Sequence, residues 1–224
     1  MGNLAERRAQ MVERQLVARG IGGPVLRAMG EVPRERFVPE RLAASAYDDG
    51  PLPIGHGQTI SQPYIVGLMI EAAAVAPGDR VLEVGAGSGY AAAVLSRIAS
   101  EVFGIERHEA LARAAQARLG ALGYTNVTVI AGDGSAGLAD KAPFHAILVS
   151  AAGERVPGPL KRQLRIGGRL VLPIGGGEGV QALLCVTRTG EDAWTEVDLG
   201  GVRFVPLVGA FGHGGGTPGG GGPA

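Results

Sequence analysis

The sequence predicts an α/β fold in which helices cover both faces of a doubly wound, mostly parallel sheet. Its 224 residues, 46% of them hydrophobic, are enough for one core of generous size. From Asp79 onwards, short apolar runs alternate with helical patterns, which is typical of parallel strands joined by crossover helices. After Pro173 strand-like segments follow one another directly, and this predicts an antiparallel ribbon at the C-terminal edge of the sheet.

The segment up to about residue 50 predicts a helical extension ahead of the sheet. Apolar residues near helical spacing indicate its first helix, and Pro24 suits the first turn of a second helix over PVLRAMGEV. The spaced apolar residues are Leu4, Met11, Leu16 and Val17. We therefore expect one domain over residues 1–211, made of this extension and a core over about residues 51–211.

The elements of the core are expected in the order in which their patterns occur. Parallel strands are predicted by RVLEVG, EVFGIE, VTVIAGDG, HAILVSAA and GGRLVLPIG, and helices by AAAVLSRIA, HEALARAAQARLGALG and VPGPLKRQL. The segments VQALLCVTRTG and WTEVDLGGVRFVPLVG predict the edge ribbon. Residues 212–224 are rich in glycine and lack apolar periodicity, so we expect them to form a disordered tail.

The composition argues against several classes of partner. Lysine plus arginine and aspartate plus glutamate number 21 each, so neither nucleic acid nor a membrane surface is indicated. The lone cysteine, Cys185, lies in an apolar run and cannot form an internal disulfide. The charged N-terminus lacks the apolar core of a signal peptide, and no window has the apolar length of a membrane span. We expect a cytoplasmic monomer and assign no metal site.

The run VLEVGAGSGY joins a predicted strand to a predicted helix and carries the strongest functional signal. Glycines at 85, 87 and 89 let the backbone turn sharply and approach a ligand. An ordinary tight turn is the simpler interpretation, and a dinucleotide fingerprint, G-x-G-x-x-G, would need a glycine where Tyr90 stands. With Glu83, the spacing acid-x-G-x-G-x-G instead resembles motif I of the Rossmann-like methyltransferases, which bind S-adenosylmethionine.

Two further acids end the next two predicted strands. Glu106 follows at the distance where an acidic residue meets a ribose, and Asp133 lies in GDG after the strand that comes next. Taken singly, Glu106 is a solvated strand-end carboxylate and Asp133 caps a turn. Because the carboxyl ends of successive strands meet along one crevice, we expect Glu106 to bind the ribose and Asp133 to accept from the exocyclic amine of adenine.

The segment PLPIGHGQTISQPYIVGLM, upstream of the glycine motif, is the most specific part of the sequence. Together with GDG, APFHAILVSAA, VPGPLKRQLRIGGRLVLPIG and RFVPLVG, it resembles the protein-L-isoaspartate O-methyltransferase family of protein-repair enzymes over about residues 9–209. The resemblance implies S-adenosylmethionine-dependent methylation of the α-carboxyl of L-isoaspartyl residues in damaged proteins and peptides. It assigns the active-site role to Ser61 and substrate contacts to Thr59, Ser61 and Val208. The cofactor-binding residues that it implies are Thr59, Ile60, Glu83, Gly85, Gly87, Ser88, Glu106, Asp133 and Gly134.

The chemistry of such an acceptor agrees with the residues around Ser61. A carboxylate is ionised at neutral pH, so it needs positioning and not a general base to attack a methyl group. The hydroxyls of Thr59 and Ser61 can hold it by hydrogen bonds. As a local structural role, Ser61 is also expected to cap a helix that begins near Pro63. We interpret His56, in the same loop, as a structural turn residue.

Two positions depart from the family pattern, and two other functions stay open. His145 stands where an Asp is usual and Leu138 where an aromatic residue is common. If His145 begins its strand, away from the ligand end, we expect it to be tolerated. The alternative functions are a carboxyl methyltransferase acting on a small molecule or a specific peptide, and a cofactor-binding module without turnover. The intact Ser61, Glu106 and Asp133 argue against the module.

Overall fold

Nine strands are present in the computed structural model, which describes residues 3–176 and 179–214. In chain order they are β1 Leu52–Gly55, β2 Gln58–Ile60, β3 Arg80–Val84, β4 Glu101–Glu106, β5 Val127–Ala131, β6 Phe144–Val149, β7 Leu164–Ile174, β8 Gln181–Arg188 and β9 Trp194–Val202. Seven of them form one sheet in the order β5-β4-β3-β6-β7-β8-β9. Pairing is parallel from β5 to β7 and antiparallel from β7 to β9, which confirms the predicted sheet with its antiparallel edge ribbon.

Six α-helices accompany these strands. They are α1 Leu4–Met11, α2 Gly23–Glu31, α3 Pro63–Ala72, α4 Tyr90–Ser96, α5 Glu109–Ala121 and α6 Gly158–Arg162. Helices α1 and α2 confirm the predicted N-terminal extension, and two 3-10 turns, Arg34–Phe37 and Glu40–Ser45, lead from α2 to β1. Within the described ranges, no helix has both the length and the apolar character needed to cross a membrane.

The apolar side chains of the parallel strands form a core on each face of the sheet. Successive residues of a strand point to opposite faces, so a strand covered on both sides is apolar throughout. Val81 and Val102 belong to the cluster that also contains residues of α1 to α5. Their neighbours Leu82 and Phe103 belong to the second cluster, together with Leu160 of α6. The glycine motif and Glu106 therefore lie at the ends of covered strands, whereas β5, which precedes Asp133, is an edge strand with exposed residues.

Strands β1 and β2 form a separate antiparallel hairpin where we expected a loop. Its two-residue turn consists of His56 and Gly57, whose φ angles of 53° and 70° are both left-handed. That geometry matches the twist of a hairpin, but it favours Asn, Asp or Gly at the position of His56, so the sequence did not indicate it. The turn role of His56 is confirmed, and its ring centroid lies 5.4 Å from that of His108 at the start of α5.

The folded chain extends past residue 211, where we expected the tail to begin. The backbone N–H of His213 donates to the carbonyl of Leu207 at 2.6 Å, and Nδ1 of His213 lies 3.2 Å from a carboxylate oxygen of Glu154. The predicted boundary is therefore wrong, because residues 212–214 close a turn against the sheet domain. Residues 215–224 of the predicted tail lie outside the described residues.

Candidate functional site

A cavity of about 640 Å³ lies at the carboxyl ends of β3, β4 and β6. Three segments form its walls: the glycine loop (residues 85–89), the serine loop (residues 58–62) and the closing segment (residues 201–208). Every predicted site residue except Asp133 lines the cavity, namely Thr59, Ile60, Ser61, Glu83, Gly85, Gly87, Ser88, Glu106, Gly134 and Val208. In the part of the chain that the structure describes, no three His, Cys, Asp or Glu side chains form a group that could hold a metal ion.

The glycine loop turns from β3 into α4 in a conformation that suits glycine. The φ angles of Gly85, Gly87 and Gly89 are 83°, 54° and 88°, where a side chain is strained. A Cβ atom on Gly87 would also lie only 3.1 Å from Cδ1 of Ile54 in β1. The loop therefore lines the cavity and also contacts the hairpin closely. It is more than an ordinary tight turn.

Glu106 is buried at the end of β4, and the backbone fixes its carboxylate. One oxygen accepts the N–H of Gly87 and the other accepts the N–H of His108, each at 2.9 Å. Because a carboxylate oxygen has two lone pairs, each retains one acceptor site after these bonds. Glu106 is thus held in one orientation with two acceptor sites left, and it lines the cavity.

Glu83 is also buried, but its carboxyl is poorly satisfied. It is 2% exposed, and Oε2 makes no hydrogen bond to the described residues. Burial, reinforced by the charge of Glu106, raises the pKa of Glu83 to about 8. The carboxyl is therefore mostly protonated at neutral pH, and a cationic group in the cavity would favour its ionised form.

The serine loop presents its hydroxyls to the cavity. Helix α3 begins at Pro63 with Gln62 at the N-cap position and no side-chain cap, so the predicted capping role of Ser61 is wrong. Ser61 stands one residue before the N-cap position, and Pro63 supplies the helical φ angle of the first turn. The Ser61 hydroxyl makes no hydrogen bond to the described residues, whereas the Ser61 carbonyl accepts from Nη2 of Arg34 at 2.7 Å. The hydroxyl is thus available to a ligand.

Asp133 is the predicted site residue that the structure does not bring into the cavity lining. Its Oδ1 accepts from the backbone N–H and the hydroxyl of Ser135, and its Oδ2 accepts from the N–H of Ala210 at 2.7 Å. Partial burial raises the pKa of Asp133, but these hydrogen bonds outweigh it and hold the pKa below its ordinary value. Asp133 therefore ties the end of β5 to the C-terminal segment, and its contact with adenine stays a prediction.

The closing segment continues from β9 along the open side of the cavity. Ala152, just after β6, donates its N–H to the carbonyl of Val205 and accepts from the N–H of Leu207, at 2.8 and 2.7 Å. Buried Gln181 holds the same segment through both backbone groups of Phe204. Of the residues in this segment, only Val208 was predicted from the sequence to belong to the site. The apolar run around Pro206 could have indicated that an extended segment lies here.

The sequence analysis missed Arg34, which is the most buried charged side chain near the cavity. It is 0% exposed and contacts both Ser61 and Tyr90, two residues that line the cavity. Arg34 lies in the stretch VPRERF, where three consecutive charged residues stand between apolar ones, within the predicted N-terminal extension. A single arginine in such a stretch carries no signal that it is buried.

The two departures from the family pattern lie away from the cavity lining. His145 is the second residue of β6, at its amino end, where Nδ1 accepts the N–H of Arg80 at 3.1 Å. Its Nε2 lies 3.6 Å from a carboxylate oxygen of Asp79. The backbone N–H of Leu138 donates to Gln163 at 2.7 Å. Both residues are integrated into the fold, and neither lines the cavity.

Comparisons with known proteins agree with this geometry. A family model described as Protein-L-isoaspartate(D-aspartate) O-methyltransferase (PCMT) matches residues 7–212. A protein-L-isoaspartate O-methyltransferase of Methylorubrum extorquens strain PA1 is 63% identical over 205 residues, which cover 91% of this chain and 89% of that protein. One of Methylorubrum populi is 61% identical over 209 residues, covering 93% and 98%.

Two solved structures are similar over most of the chain. One, described as a protein-L-isoaspartate O-methyltransferase, has a TM-score of 0.83 and 28% identity, and the match covers 92% of this chain and 67% of that one. The other is a Plasmodium falciparum protein described as a putative protein-L-isoaspartate O-methyltransferase in complex with S-adenosyl-L-homocysteine. Its TM-score is 0.78 at 26% identity, and the match covers 93% and 99%.

Proposed function

The chain belongs to the protein-L-isoaspartate(D-aspartate) O-methyltransferase family, and we propose that it transfers a methyl group from S-adenosylmethionine to the α-carboxyl of L-isoaspartyl residues in damaged proteins and peptides. One observation carries the proposal: a single cavity is lined both by the glycine loop with its strand-end acids and by the serine loop with Ser61. A methyltransferase needs such a joint cavity because donor and acceptor must meet in line.

The residues on the glycine side fit S-adenosylmethionine. Glu83 offers a buried, unpartnered carboxyl oxygen to a cationic group, and Glu106 has two acceptor sites left for ribose hydroxyls. When bound, the cofactor supplies an electrophilic methyl group on a sulfonium. The residues that would hold it are Thr59, Ile60, Glu83, Gly85, Gly87, Ser88, Glu106 and Gly134, with Asp133 near the adenine.

The residues on the serine side suit an acceptor that is already ionised. The α-carboxyl of an isoaspartyl residue has a low pKa, so no general base is needed at neutral pH. Ser61 and Thr59 can each donate one hydroxyl hydrogen bond, which orients the carboxylate and leaves a lone pair for attack. Val208 would flank the substrate from the closing segment. The attack neutralises a cation and an anion, and the surrounding walls favour it by excluding water.

The repair itself follows from the chemistry of the methyl ester. The backbone nitrogen of the following residue attacks the ester carbonyl carbon, methanol leaves, and a succinimide ring forms. Hydrolysis of the ring at either carbonyl gives a mixture of aspartyl and isoaspartyl linkages. Repeated cycles therefore convert damaged linkages without a second active site.

The test is methyl transfer to matched peptides. The protein is incubated with S-adenosylmethionine labelled in its methyl group and with one peptide made with either L-isoaspartate or L-aspartate. We expect a base-labile methyl ester on the isoaspartyl peptide only, and S-adenosylhomocysteine binding is measured in parallel by calorimetry. Binding without ester on the isoaspartyl peptide rejects the proposal. In that case, ester on a small carboxylic acid or another peptide supports the alternative carboxyl methyltransferase, and no transfer at all supports a binding module.

We also propose that the protein acts as a cytoplasmic monomer without a nucleic-acid partner. The equal numbers of acidic and basic residues, 21 each, support the absence of a polyanionic partner. Light scattering of the purified protein tests the monomer, and cell fractionation tests the compartment.

A further inference from the structure

Arg34 lies beneath the serine loop in an unusual electrostatic setting. Its side chain is fully buried, and Nε donates to the carbonyl of Ala46 while Nη2 donates to the carbonyl of Ser61, both at 2.7 Å. The guanidinium carbon lies 4.8 Å from the ring centroid of Tyr90. Nη1 makes no hydrogen bond to the described residues.

The positive charge of Arg34 has only neutral partners. None of the ion pairs in the described part of the chain includes Arg34, so two carbonyls and an aromatic face are what compensate it. Burial lowers the pKa of the guanidinium, but arginine stays protonated in proteins. A buried charge without a counter-ion is costly, and that cost falls when an anion comes close.

Arg34 lies directly behind the wall of the cavity that contains Ser61. Ser61 and Tyr90 line the cavity, whereas Arg34 stands behind them and is not itself part of the lining. Its bond to the Ser61 carbonyl fixes the backbone from which the Ser61 side chain projects. Because the side chain is fully buried, its charge is weakly screened towards the cavity.

We propose that Arg34 is a positioning residue that makes the serine loop selective for an anionic methyl acceptor. Its forked hydrogen bonds hold Ser61 in place, and its uncompensated charge favours a carboxylate over a neutral group of the same shape. The inference rests on the proposed function, because it concerns how the same cavity recognises the isoaspartyl carboxylate.

The test separates charge from geometry with two variants of the full chain. Arg34→Gln keeps an N–H donor but removes the charge, and Arg34→Lys keeps the charge but loses the forked geometry. For each we measure kcat and KM with the isoaspartyl peptide, and the inhibition constant of the same peptide with its α-carboxyl replaced by an amide. Calorimetry with S-adenosylhomocysteine reports whether the cofactor side is intact.

We expect Arg34→Gln to raise KM for the charged peptide by roughly tenfold to a hundredfold, the size of one lost charge-assisted interaction. Two other quantities should change less than about threefold: the inhibition constant of the amide peptide and the affinity for S-adenosylhomocysteine. A purely structural defect would change them as well. Arg34→Lys should restore most of the KM while its kcat stays low. The matched control is Arg97→Met, because Arg97 stacks on Tyr124 at the same 4.8 Å outside the cavity lining and its loss should leave KM unchanged.

Several outcomes would overturn the inference. Equal losses for the charged and amide peptides, or no rescue of KM by Arg34→Lys, would mean that Arg34 only supports the fold. If circular dichroism shows that Arg34→Gln does not fold, the wild type is tested with both peptides instead. Equal binding of the charged and amide peptides then refutes selection by charge. Binding of the amide peptide that is at least about tenfold weaker supports it. A wild type that methylates no isoaspartyl peptide refutes the proposed function instead.

Discussion

Two walls of the cavity carry buried groups of opposite charge. The glycine wall, made of Glu83, the glycine loop and Glu106, contains two buried acids without a basic partner. The serine wall, made of the serine loop and Arg34, contains a buried cation without an acidic partner. In a carboxyl methylation, the methyl donor would bring a positive charge to the glycine wall, and the carboxylate acceptor would bring a negative charge to the serine wall. The cavity is therefore suited to a cation on one side and an anion on the other.

The largest effect is expected at the glycine wall, from Glu83→Gln. The pKa of Glu83 rises from 4.5 to about 8 on folding, so the unfolded state loses the proton first as the pH increases. The wild type should therefore lose up to several kcal/mol of unfolding free energy between pH 4.5 and about 8, and the variant should not. Urea unfolding of the cofactor-free protein at both ends of this range measures the difference. The control is Glu40→Gln at an exposed site, and parallel curves for Glu83→Gln and wild type would contradict the prediction.

Glu106→Ala tests the other acid of the glycine wall. The change removes the proposed acceptor for ribose hydroxyls and unpairs the N–H groups of Gly87 and His108. We expect the Kd of S-adenosylhomocysteine to rise about a hundredfold, corresponding to about 3 kcal/mol. Calorimetry measures it, with Glu109→Ala on exposed α5 surface as the control. A change of less than about threefold would show that Glu106 does not hold the cofactor.

Gly87→Ala tests the conformation of the glycine loop. At a φ of 54°, an alanine is expected to lower the free energy of unfolding by about 1–2 kcal/mol, and its Cβ would lie against Ile54 of the hairpin. We expect roughly tenfold weaker S-adenosylhomocysteine binding and a lower Tm. Gly120→Ala is the matched control, because that glycine lies in α5 with no atom within 4 Å of the added Cβ. If both variants bind the ligand equally, the glycine conformation is not required.

Ser61→Ala should have the smallest effect and should act on the other wall. Loss of the hydrogen bond that we propose Ser61 donates to the acceptor should lower kcat by roughly five- to tenfold while cofactor binding is retained. Ser61→Thr, which keeps a hydroxyl, is the matched control. Steady-state kinetics with the isoaspartyl peptide, together with calorimetry, measure both quantities. A loss of cofactor affinity like that of Glu106→Ala would remove the distinction between the two walls.

The glycine wall was predictable because its residues are close in sequence. Glu83 lies near the end of the buried strand β3, and the glycine loop follows that strand directly. The position of Glu106 was predictable because parallel strands end at one edge of the sheet. Asp133 ends the neighbouring strand as expected, but Ala210, 77 residues away, occupies one of its oxygens. A contact over such a distance leaves no periodic pattern in the sequence.

The serine wall was only partly predictable, since it is assembled from separate segments. The family resemblance indicated Ser61 and Thr59, but not the hairpin that carries Thr59, because His56 takes a left-handed turn position that rarely holds histidine. Arg34 reaches Ala46 and Ser61 over 12 and 27 residues, and its burial depends on how the extension packs. Charge in a short polar stretch predicts exposure on average, so a buried arginine escapes such an analysis.

The closing segment, held by Ala152 and followed by the Asp133–Ala210 contact, is the latest of the three cavity segments along the chain. A polypeptide that emerges from the ribosome presents β3, the glycine loop and β4 well before residues 201–208 have been made. The glycine wall can therefore assemble at a stage when one side of the cavity is still missing. Each newly synthesised molecule therefore has the residues of the glycine wall before it has those of the closing segment, so the cavity is not enclosed until residues 201–208 have been made.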